Sequence, residues 1–165
     1  MRETLVEPIG TFAIFKIGVG PSSSHTMGPW RAAQRFLERC RARGAFDRIE
    51  RIRVDLYGSL AKTGKGHGTD IAVILGLAGD DPVTCDTTRI HARVGVIRDS
   101  GKLPLGGGRV IAFQTARDLV FHMTESLPQH PNALTFTATL DDGAEIAETY
   151  SSVGGGFVVR EGEGE

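Results

Sequence analysis

The sequence predicts an α+β fold, with helices packed on one face of a mixed β-sheet. Three observations carry this. Apolar residues recur at helical spacing between Trp30 and Arg43, and residues 49–57 end in strict alternation. An alternating run, 134–140, turns at Asp141-Asp142-Gly143 and returns over 144–153, which is a hairpin signal. The order is therefore helix, strand, helix, then several strands ending in a hairpin.

Taken in chain order, residues 12–19 are apolar with one lysine, and Gly20-Pro21-Ser22-Ser23-Ser24 ends that run. The first helix follows. Trp30, Ala33, Phe36, Leu37 and Cys40 share one face, Pro29 stands near its start and Gly44 just past its end. Arg39, Arg41 and Arg43 suit the negative end of the helix dipole. The strand 49–57 carries Arg51 and Arg53 on a solvated face. Residues 58–68 read as a glycine-rich loop, after which Thr69 or Asp70 caps a helix through Ile71, Val73, Ile74 and Leu75, closed by Gly76 or Gly79. Asp80-Asp81-Pro82 reads as a turn, and 87–98 is weakly helical. Residues 101–108 read as loop, 109–113 and 118–121 as short strands, 127–131 as a turn and 160–165 as a polar tail that frays. One domain, 1–159, contains all of this but the tail; no repeat or low-complexity segment is present.

The 165 residues are enough for one core without staples. Net charge is −1 and no basic run exists, which argues against nucleic acid or an anionic membrane as partner. No apolar run reaches membrane-spanning length and no secretory pattern opens the chain, so the cytoplasm is expected. Cys40 and Cys85 are distant and unpaired by motif, too few for a four-cysteine cluster, and are expected as reduced thiols. The 22 glycines are in excess and gather in a few segments, as a backbone-lined site or a set of tight turns would require.

Three segments carry candidate chemistry. In 18–26, Ser22, Ser23, Ser24, His25 and Thr26 precede a helix N-terminus, where exposed N–H groups and the dipole favour an anion; an elaborate N-cap is the equal alternative. In 58–70, Lys62, Lys65, His67 and Asp70 lie among glycines. The phosphate-loop pattern fails there, because Gly66 and not a hydroxyl residue follows Lys65. The glycine-flanked imidazole of His67 suits proton transfer near neutral pH. The third segment pairs His130-Pro131-Asn132 with residues 151–156, and ordinary turn chemistry is the favoured reading for it. His91 and His122 read as ordinary surface or core residues.

Read together, residues 15–29, 56–70, His130-Pro131-Asn132 and 152–157 resemble, in order, four motifs of the bacterial iron–sulfur L-serine dehydratases. Tyr150-Ser151-Ser152 departs slightly, since a second aromatic is common there. The resemblance covers the β portion alone. It implies a fold similar to the intervening, allosteric substrate-binding domain of D-3-phosphoglycerate dehydrogenase. It implies conversion of L-serine to pyruvate and ammonia, in amino-acid catabolism feeding gluconeogenesis. It implies as partner an α chain or α domain whose cysteines hold an iron–sulfur cluster (4Fe–4S), with none expected on this chain, which is then inactive alone. A homo-oligomer is expected, with no metal ligand in this chain. His67 and Lys65 are the catalytic candidates, and Ser22, Ser23, Ser24, His25, Thr26, Gly66, Thr69 and Asp70 the substrate-binding ones. The alternatives are a regulatory domain that binds serine allosterically, and a plain assembly module.

Overall fold

The computed structural model describes residues 24–128 and 131–163, with backbone alone for 63–67. The first helix, α1, spans Met27–Ala42. It starts three residues before Trp30, and its inner face buries the predicted Trp30, Ala33, Phe36, Leu37 and Cys40. Phe36 stacks on Phe136 at 5.2 Å between centroids, and Tyr150 meets Phe136 edge-on at 5.9 Å. Such aromatic pairs add to the burial of apolar area that drives the core together.

Strand β1 (Ile49–Leu56) follows a single 3-10 turn. Its Ile52, Val54 and Leu56 are fully buried, whereas Arg51 and Arg53 alternate to the other face. That face is less solvated than the alternation suggests. Arg51 binds the carboxylate of Asp118, which is fully buried, and Arg53 pairs with Asp55.

The next element corrects the sequence reading. Residues 58–67, expected as a loop, form helix α2 (Gly58–His67). Glycine inside a helix costs about 1 kcal/mol each relative to alanine, and Gly58, Gly64 and Gly66 all lie in it. Tertiary structure offsets that cost. Leu60 and Ala61 are buried in the core, the Gly58 N–H donates to the Glu125 carbonyl at 2.8 Å, and the Ser59 N–H donates to the Pro131 carbonyl at 2.9 Å. Gly58 adopts φ +57, and a Cβ there would lie 2.2 Å from the Pro131 oxygen. Only glycine permits that start.

Gly68, at φ 76, separates α2 from α3 (Thr69–Leu77). Thr69 is the first helical residue and not a cap. Gly76 lies inside α3 and lets it close on α1: a Cβ there would meet Ala33 Cβ and the Trp30 carbonyl, each at 2.7 Å. The Trp30 indole N–H donates to the Asp80 carbonyl at 2.8 Å.

Helix α4 (Ile90–Ser100) is followed by a segment read as loop that instead holds β2 (Lys102–Pro104), paired antiparallel with β3 (Val110–Ala112). A short helix, α5 (Thr115–Asp118), leads into β4 (Leu119–Phe121). The hairpin is as expected: β5 (Ala133–Leu140) and β6 (Glu145–Gly154). Strand β7 (Phe157–Arg160) ends on the first residue of the predicted tail, and Glu163 beyond it binds Arg35 at 2.7 Å, against fraying there.

The main sheet has the order β4-β1-β5-β6-β7, with β1 and β4 parallel and the other neighbours antiparallel. The fold is thus α+β with a mixed sheet. Helix α1 packs across β5, β6 and β7, and α2 against β4 and β5. No described helix is long and apolar enough to cross a membrane.

Candidate functional site

Sheet register decides where the distant motifs meet. Leu56 at the end of β1 pairs with Leu134 at the start of β5, and Ala133 pairs with Ser151 near the end of β6. The residues after β1, before β5 and after β6 therefore share one end of the sheet. Those are the second, third and fourth motif segments.

The first motif joins them through α1. A Cβ on Gly28 would lie 1.9 Å from Ser152 Oγ, so the first turn of α1 rests directly on β6. Gly156 lies next to Met27 and Arg31 of the same turn. Thr69 completes the junction: its fully buried hydroxyl donates to the His25 carbonyl at 2.5 Å. The start of α3 is thereby fastened to the residue before the cap of α1. His67 closes α2 two residues before Thr69, which brings its backbone to the same junction.

The third segment reaches the site from beneath. Asn132 Oδ1 accepts a hydrogen bond from the Ser59 hydroxyl, and the Asn132 carbonyl accepts from the Ser152 N–H at 2.9 Å. Pro131-Asn132 thus connects the start of α2 to the end of β6, a more specific task than a surface turn. His130 lies outside the described residues.

The sequence-predicted residues divide as follows. Ser24, His25, Thr26 and Thr69 stand at the junction, with Ser24 Oγ 3.0 Å from His25 Nδ1. Thr26 occupies the N-cap position but makes no side-chain cap bond to the helix, against the N-cap alternative. Ser22 and Ser23 lie outside the described residues, as do the side chains of Lys65 and His67; Gly66 is placed by its backbone within α2. Asp70 turns elsewhere. One oxygen is ion-paired with Arg98 of α4, and Oδ1 is buried with no hydrogen-bond partner among the described residues. Asp70 lines a cavity of about 790 Å³ with Arg98, Leu119 and Phe121.

Some polar groups carried no local signal. His122 is no ordinary residue: its Nε2 lies 2.7 Å from Asp55 Oδ1 and its ring stacks on Tyr57 at 4.5 Å. Glu148, largely buried, takes both Arg39 and the Tyr150 hydroxyl, and burial with that bond pushes the phenol up from its ordinary value. Arg39 and Arg43 therefore serve a carboxylate on β6 rather than the helix end alone.

The thiols do not fit an iron–sulfur cluster, which needs thiolates. Cys40 is fully buried on α1, and burial, with Glu148 nearby, pushes its thiol up to about 11. Cys85 lies apart between α3 and α4, and burial pushes it up as well. Among the described residues no group of three or more histidine, cysteine, aspartate and glutamate side chains could hold a metal ion.

Comparison with known proteins agrees with the family resemblance. A family model described as serine dehydratase beta chain matches residues 10–163. An L-serine dehydratase of Streptomyces coelicolor is 50% identical over 154 residues, covering 93% of this chain and 34% of that protein. One from Mycobacterium tuberculosis is 50% identical, with 93% and 33% covered, and L-serine dehydratase TdcG of Escherichia coli is 46% identical, with 93% and 34% covered. The chain spans about a third of the length of these relatives. With the described parts of four motif segments gathered at one end of its sheet and relatives matched along nearly all its length, the chain belongs to the serine dehydratase beta chain family.

Proposed function

We propose that this chain is the β portion of an L-serine ammonia-lyase, acting with an α portion that holds the iron–sulfur cluster and forming no active site alone. The observation that supports this most is the convergence of Ser24–Gly28, α2–α3, Asn132 and Ser152–Gly156 at one sheet end, around the N-termini of α1 and α3. Helix N-termini and hydroxyls suit a carboxylate. Ser22, Ser23, Ser24, His25 and Thr26 hold the carboxylate of L-serine, with Gly66 and Thr69 shaping the junction. Asp70, oriented by Arg98, faces the adjoining cavity and steadies the start of α3.

His67 removes the Cα proton, and Lys65 lowers the cost of the charge that develops on the substrate. Loss of the Cα proton and the hydroxyl yields aminoacrylate and water. Aminoacrylate tautomerises to the imine, and addition of water then releases pyruvate and ammonia. This chemistry belongs in the cytoplasm, in amino-acid breakdown.

The test is His67→Ala in anaerobically reconstituted holoenzyme, with the cluster followed by its absorbance. A loss of turnover of about 10²–10⁴-fold with an intact cluster is expected for removal of a general base. Near-normal turnover with an intact cluster sinks the acid–base role and leaves serine sensing as the reading of the site.

A further inference from the structure

The hydroxyl of Ser152 is buried and has no hydrogen-bond partner among the described residues, and the side chain belongs to a residue only 5% exposed. Native proteins pair nearly all such groups, because an unpaired one has lost water and gained nothing. Its position is not loose. Strand alternation puts Ser152 on the helix-facing side with Glu148 and Tyr150, its N–H is fixed by the Asn132 carbonyl, and it pairs with Val158 on β7. The hydroxyl lies against Gly28 in the first turn of α1, so close that any side chain at position 28 would displace it.

That first turn is short of donors. The Trp30 N–H is taken by the Thr26 carbonyl at 3.0 Å, and Pro29 has no N–H to offer. Met27 and Gly28 supply the remaining backbone N–H groups, while a carboxylate offers two oxygens with about four acceptor sites. A hydroxyl delivered from the sheet to this helix start makes good the donor that proline removes.

We propose that Ser152 is a substrate-binding residue, its hydroxyl donating to the carboxylate of an α-amino acid seated at the N-terminus of α1. This rests on the carboxylate pocket proposed above and adds to it a donor from β6, beside those of the serine-rich segment 22–26. Ser152 touches the carboxylate and not the reacting Cα–H or hydroxyl, so it contributes equally to ground state and transition state. Its removal raises KM and spares kcat.

The experiment is Ser152→Ala in the reconstituted holoenzyme, beside Ser24→Ala, with KM and kcat for L-serine, competitive inhibition by D-serine, and thermal melting. The expected result is a roughly tenfold or larger rise in KM and in the D-serine inhibition constant, as for a lost hydrogen bond to a charged group. The kcat stays within about twofold, and the melting temperature does not fall, since an unpaired hydroxyl has been deleted without opening a void. An unchanged KM overturns the inference, as does a fall in kcat alone or a clear loss of melting temperature, which would mark Ser152 as a packing residue. If Ser24→Ala raises KM and Ser152→Ala does not, this inference fails and the pocket stands. If neither moves KM or the D-serine constant, the pocket itself fails.

Discussion

The contact between Gly28 and Ser152 can be tested as a matter of energy. Gly28 is not among the glycines with positive φ, so alanine is allowed there by its backbone. Replacing glycine by alanine at a compatible site stabilises by about 0.4–1 kcal/mol through the unfolded chain. Here the new methyl would stand 1.9 Å from Ser152 Oγ and 2.7 Å from Ser152 Cβ. Overpacking of that kind costs about 1–3 kcal/mol. The difference predicts that Gly28→Ala destabilises by about 1–2 kcal/mol, a fall of roughly 2–8 °C in melting temperature for a chain of this size. In a Ser152→Gly background both offending atoms are gone and the next neighbour, Ser152 Cα, is at 3.6 Å, an ordinary contact. The same Gly28→Ala change then becomes stabilising, so the double-mutant cycle carries a coupling of about 1–3 kcal/mol. Urea unfolding of the four chains measures it. A Gly28→Ala chain as stable as the parent, or an equal loss in both backgrounds, would refute the close approach of α1 to β6.

Two predictions concern ionisable groups. Asp118 has its side chain fully buried; desolvation acts to raise its pKa, but Arg117, the Gln114 N–H and Arg51 together hold it below the usual aspartate value. Stability from a depressed carboxylate is present above the unfolded pKa of about 4 and is lost as pH falls through the lower folded value. Asp118→Asn is expected to cost about 2 kcal/mol near pH 7, with the gap to the parent closing in acid; a gap independent of pH contradicts the assignment. Cys40 shows the opposite sign, its thiol raised to about 11. Its contribution is complete below the unfolded thiol pKa and fades as pH rises from about 9 through 11. Iodoacetamide at pH 8 should therefore modify Cys85 first and Cys40 only once urea unfolds the chain, and equal rates would show that Cys40 is not buried as described.

Where element type was written in local periodicity, the sequence was readable. The stripe of Trp30, Ala33, Phe36, Leu37 and Cys40 needs no partner to be recognised as one face of a helix, and the alternation of 134–140 before the turn at Asp141-Asp142-Gly143 shows a hairpin in the same way. The failures have a common cause. Helix α2 looked like a loop because Gly58, Gly64 and Gly66 argue locally against a helix. What makes it one is distant: the carbonyls of Glu125 and Pro131 at its start and the burial of Leu60 and Ala61. Strand β2 was missed because three residues carry no period of their own, and β7 because glycines surround it and only pairing with β6 defines it.

The site divides along the same line, and register explains why. Each motif segment could be singled out from its hydroxyls, imidazoles and glycines, but nothing within a segment says which others it meets. Pairing of Leu56 with Leu134 and of Ala133 with Ser151 decides that, by bringing the end of β1, the start of β5 and the end of β6 to one edge. A one-residue slip in either pairing would turn Ser152 to the opposite face and leave Gly28 with nothing to accommodate. The buried aromatics make such a slip costly, since Phe136 and Tyr150 would leave the core together. Core packing on β5 and β6 therefore holds the geometry at the helix starts. It also explains why Ser152 read as turn chemistry: its value lies in a helix more than a hundred residues away in sequence, against which a glycine allows it to rest.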